Sequence, residues 1–80
     1  MDIEIARHLI RTAFRSSGEL SALLPLLKEH CGTEEYKNYA QGVAAAIHGI
    51  NIALIDKATA SFPELESEME SYIAKYGRYL

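Results

Sequence analysis

GVAAAIHGINIALI, residues 42–55, carries only two polar side chains in fourteen positions, His48 and Asn51. An 80-residue chain seldom covers a helix that is apolar on nearly every side, so whatever packs against this stretch decides the architecture. From Thr33 to about Ser61 there is no proline and no turn cluster. That predicts one long helix over 34–61, about 40 Å at a rise of about 1.5 Å per residue. Tyr36, Ala40, Val43, Ile47, Ile50 and Leu54 recur at alternating spacings of four and three, the pattern of a helix-packing seam. A second stripe, Gly42, Ala46, Gly49 and Ala53, is uniformly small and lets another backbone approach closely. Ala44, Ile52 and Ile55 add a third apolar flank, which places the helix centrally.

The neighbouring segments read as shorter helices. Ile3, Ala6, Ile10 and Ala13, widened by Leu9 and Phe14, form one face of a helix over 2–16. Ser16, Ser17 and Gly18 interrupt it, and Ser16 with Glu19 has the spacing of a capping box for a second helix over 18–31. Leu20, Leu23, Leu24 and Leu27 give that helix its face, and Pro25 predicts a kink or split near residues 22–25. Gly32 suits a left-handed stop, with Thr33, Glu34 and Glu35 starting the long helix. Ser61, Phe62, Pro63 and Glu64 mark the start of a last helix over 62–76. Its seam is Leu65, Met69, Tyr72 and Tyr76, Gly77 is its C-cap, and Arg78 to Leu80 form a tail. The expectation is an all-α, single four-helix domain with one long central third helix.

Size and charge narrow the function. A domain this small has a marginal core, and a single cysteine allows no internal disulfide. The formal charge of −3 and pI near 5.5 offer no overall field for a polyanion, so nucleic acid is not expected as a partner. MDIEIARHLI lacks the basic start and apolar run of a secretory signal, which points to a cytoplasmic protein. The stretch 42–55 is shorter than the about 18 to 20 apolar residues of a membrane span and Lys37 and Asp56 bracket it closely, so no membrane partner is expected either. Burying an Ile or Leu side chain is worth about 1.5–3 kcal/mol. Three short helices leave part of the long one bare, and a C2 homodimer crossing at Gly42, Ala46, Gly49 and Ala53 would cover it.

Four groups of residues are candidates for chemistry or contact. His48 and Asn51 project from one side of the long helix. They read first as a polar pair that fixes packing register, and alternatively as the lining of a small-molecule pocket or minor active site. Arg7, Arg11 and Arg15 repeat every four residues as a basic ridge. The ridge reads first as a solvated face or as paired with Glu64, Glu66, Glu68 and Glu70 of the last helix, and alternatively as a contact for a phosphate-bearing ligand, an RNA backbone or an acidic partner. His30 beside Cys31 lacks further ligands at metal-site spacing, so no metal and no cofactor are expected. Five tyrosines, three of them at 72, 76 and 79, form a half-buried rim or a contact patch. The combined reading is a small homodimeric interaction or regulatory module, with no catalytic activity evident.

Overall fold

Asp2 opens the first helix by accepting the Ile5 backbone N–H on its carboxylate at 2.9 Å. In the computed structural model, which describes residues 1–79, that helix (α1) runs unbroken from Ile3 to His30. A second helix (α2) spans Thr33–Ser61, and a third (α3) spans Pro63–Tyr76. The class is all-α, with three helices among the described residues in place of the expected four.

The expected break at residues 16–18 does not occur, and the reason lies in the seam. Ala6, Ile10, Ala13, Ser17, Leu20, Leu24 and Leu27 continue one spacing of four and three straight through Ser16, Ser17 and Gly18. Two serines and a glycine lower helix propensity by about 2 kcal/mol in total. Breaking the helix would strand up to about four N–H groups at the new end and throw the leucines out of phase. Pro25 does not split the helix either. It lies on an exposed face, and the Ser21 carbonyl that it leaves without a partner is on an exposed residue where water can bond it.

Cys31 and Gly32 are the only residues between α1 and α2, so the two long helices form an antiparallel hairpin. Gly32 has φ −67°, not the left-handed value expected. The left-handed residue is Gly77, with φ 77°, which ends α3 by donating to the Ile73 carbonyl at 2.8 Å. Phe62 rather than Ser61 sits at the start of α3, with Pro63 at the first helical position.

Within α2 the segment Asn51–Asp56 is a π-helical turn. It carries one extra residue, and the buried seam shows where: Val43, Ile47 and Ile50 are followed by Ile55 and Ala58. The step from Ile50 to Ile55 is five residues, the i to i+5 advance of a π turn. Leu54, expected in the seam, is therefore 40 % exposed, while Ile55, expected on a flank, is 6 % exposed.

The core gathers where α3 crosses the hairpin. Ala6, Ile10, Ala13, Ile55, Ala58, Leu65 and Tyr79 are buried there, ringed by Ile3, Leu9, Phe14, Ile50, Phe62, Met69 and Tyr72. Tyr79 docks the tail onto this core; Leu80 lies outside the described residues. At the turn end of the hairpin no third helix reaches across, and Leu20, Leu24, Leu27, Tyr36 and Ile47 are only half-buried. The result is a slab of 45 × 25 × 15 Å with a radius of gyration of 14.7 Å, against about 12 Å for a compact chain of this length.

Candidate functional site

The slab leaves one side of the hairpin uncovered. Gly42, Ala46, Gly49 and Ala53 are all exposed, and a methyl group built on Gly42 or Gly49 would meet nothing within 4 Å. No helix of the same chain closes on the small stripe. Next to it two shallow grooves run between α1 and α2. One, of about 530 Å³, is bordered by Leu9, Ala53, Leu54 and Phe62. The other, of about 330 Å³, lies among Leu9, Thr12, Ser16, Ile50 and Leu54. Leu9 and Leu54 line both, so the grooves lie side by side. The π turn contributes directly, since it rotates Leu54 out of the core and onto this face.

His48 and Asn51 stand apart from these grooves. Both are exposed, and neither lines any of the four described clefts. A pocket around them would need a second chain to supply its other wall.

The basic ridge of α1 is divided among different tasks. Arg7 donates Nε–H to Glu68 Oε2 at 2.9 Å and pairs through its terminal nitrogen with Glu4 one turn back. Glu68 comes from α3, and its Oε2 also accepts the Tyr79 hydroxyl at 2.6 Å. One carboxylate thus ties α1, α3 and the C-terminal tail together. The Tyr79 bond, aided by Arg7, holds the Glu68 carboxyl below its ordinary pKa in spite of partial burial. Burial first, and Glu68 second, push the Tyr79 hydroxyl up to about 12. Hydrogen bonds to Glu68 and then Glu4 raise the Arg7 guanidinium further above its already high value. Arg11 and Arg15 take no part in this network's hydrogen bonds; Arg11 instead places its guanidinium carbon 5.1 Å from the centre of the Tyr79 ring.

No protein family matches the chain, and comparison with curated proteins and with solved structures finds no significant similarity. The site must speak through its own chemistry.

That chemistry is one of surfaces. Among the described residues no group of three or more His, Cys, Asp or Glu side chains converges as a metal site would require. Burial and the neighbouring Glu35 push the Cys31 thiol up, away from the thiolate form that nucleophilic chemistry uses. Helix Thr33–Ser61 is long and apolar enough by composition to cross a membrane, with a mean hydropathy of 1.2 and only 11 % of that window buried. The same stretch carries Asn38, Gln41, His48 and Asn51, each costly in hydrocarbon. Sequence reasoning found the small stripe and the arginine ridge. It missed the Tyr79 clamp, which joins residues on opposite sides of a helix end and leaves no periodic trace.

Proposed function

We propose that the protein is a small cytoplasmic interaction or regulatory module that works as a homodimer, with the open side of the α1–α2 hairpin as its self-association face. One observation carries this reading. The chain exposes 5561 Å², about 750 Å² more than the roughly 4,800 Å² of a compact monomer of this mass. The bare turn end of the hairpin and the open side share this excess, which is comparable to the about 800 Å² per partner of a standard interface. Gly42, Ala46, Gly49 and Ala53 would then let two α2 helices approach closely, with Leu9 and Leu54 filling the margins. A second copy suits the face because it brings an equally flat, uncharged surface, and a two-fold axis turns one incomplete layer into two. The acidic balance of the chain argues against nucleic acid as the occupant.

Light scattering over a concentration series, on the wild type and on Gly49→Leu, tests the proposal. The expected result is a wild-type mass that approaches twice 8.9 kDa and a variant that stays monomeric while its circular dichroism remains helical. A wild type that is monomeric at every concentration overturns the dimer. Co-sedimentation with phosphatidylcholine vesicles, in place of self-association, would assign the same face to a membrane.

A further inference from the structure

The flank of α1 opposite the open face turns toward the C-terminal segment and builds a second, different surface. The left-handed turn at Gly77 brings Arg78 and Tyr79 back over α1. Between them and Arg11, Phe14, Arg15 and Glu19 lies a groove of about 650 Å³. Three guanidinium groups and one carboxylate border it, a local charge of +2 on a chain whose total is −3.

Neither Arg11, Arg15 nor Arg78 takes part in an ion pair among the described residues. Arg11 is held in place from one side by the Tyr79 ring, and its Nε is buried with no hydrogen-bond partner. Glu68, whose carboxyl pKa is lowered in small part by Arg11, is already engaged by Arg7 and Tyr79. Arg15 and Arg78 are exposed at the rim. Phe14 and Tyr79 add aromatic walls, so the groove couples an apolar floor to an unneutralised positive rim.

We propose that this groove binds a small organic anion, an aromatic or aliphatic body carrying a carboxylate or a phosphate. The volume falls within the about 300–1,000 Å³ of small-molecule sites. Guanidinium forks bind oxyanions through paired, charge-assisted hydrogen bonds, and Arg11, stacked on Tyr79, loses little freedom in doing so. A bare inorganic anion would leave the aromatic walls unused, and a neutral aromatic would leave the arginines unpaired. The ligand therefore carries both features. This site lies on the flank away from the self-association face and does not depend on it.

Titration of the intact protein with phenyl phosphate, benzoate, inorganic phosphate and benzyl alcohol at constant ionic strength, followed by two-dimensional NMR, tests the assignment. Saturable shifts at Phe14, Tyr79 and the arginine Nε–H signals are expected for the two aromatic anions, with at least about tenfold weaker binding of the inorganic anion and the neutral alcohol. Preference for phenyl phosphate identifies a phosphate ligand, and preference for benzoate a carboxylate. Arg15→Gln and Arg78→Gln, both at exposed positions, should each weaken binding about tenfold while Lys37→Gln, far along α2, leaves it unchanged. Equal binding by the wild type and both arginine variants, or no saturation below about 10 mM, overturns the site.

Discussion

The two glycines on the open face give opposite answers in a monomer and in a dimer, which makes them a sharp test. In the isolated chain Gly42 and Gly49 sit inside α2, exposed, with φ in the helical range and with nothing within 4 Å of an added methyl. Glycine in an exposed helix interior costs about 1 kcal/mol relative to alanine. The double substitution Gly42→Ala, Gly49→Ala should therefore stabilise a monomer by about 2 kcal/mol, raising its melting temperature by about 10 °C in a domain of this size. If two α2 helices cross at these positions, each new methyl wedges the backbones apart and weakens every contact along the stripe. The stabilisation should then appear only at low protein concentration, and shrink or reverse as wild-type dimer forms. Thermal melts at micromolar and near-millimolar protein, with mass measured alongside, separate the two cases. A gain of about 10 °C at both concentrations would refute the close helix crossing.

Other perturbations follow from particular contacts. Ser17 Oγ is buried with no hydrogen-bond partner in the seam of α1, so Ser17→Ala should raise stability by about 1–2 kcal/mol in urea unfolding, through propensity and relief of the stranded hydroxyl. Tyr79 is held up to about 12 in the folded state against 10.0 when free, so its contribution is complete below pH 10 and is lost as pH rises toward 12. Tyr79→Phe should cost about 1.5 kcal/mol at neutral pH and flatten that part of the alkaline decline. Glu68 has the opposite sign: its lowered pKa gives stability above about pH 4.5 that is lost as pH falls, and Glu68→Gln should flatten the acid limb of the same profile. Deleting the exposed Ala53 should convert the π turn to a regular α turn while keeping Ile55 in the seam, one residue closer to Ile50. The variant should stay folded by circular dichroism, whereas deleting Ala45, ahead of the π turn, should shift the later seam by about 100° and unfold the chain.

Much of this architecture was legible because it is written in local signals. Pro63 and Gly77 bound α3 through chemistry that acts within one turn, and the absence of any breaker between Thr33 and Ser61 defined α2. The misreadings arose where a local signal opposed a longer-range one. Ser16, Ser17 and Gly18 look like a boundary in isolation, yet the apolar spacing passes through them in phase, and tertiary packing decides the outcome. The π turn is invisible to a strict spacing of four and three. Its trace is the pair Leu54 and Ile55, two equally apolar residues of which only the fold selects one. Glu68 could be named from charge pattern as a mate for the arginine ridge, but its second bond, to Tyr79, depends on the tail folding back past Gly77.

The two flanks of α1 differ in composition, and the difference supports the proposed self-association face. On the flank turned to α3 and the tail, the sequence sets Glu4 and Arg7, which pair, Arg11, which lies over the Tyr79 ring, and the exposed Arg15. Along the other flank helical spacing lines up Ile5, Leu9, Thr12 and Ser16, and α2 continues the same face with Gly42, Ala46, Gly49, Ile50, Ala53 and Leu54. Ile5, Gly42, Ala46, Gly49, Ala53 and Leu54 are exposed and none is charged, while His8 and Lys57 line the same grooves. Long charged side chains would be the easiest way to shield a bare helical hairpin from water. Their scarcity on one flank, beside their abundance on the other, is what the proposed self-association face would require.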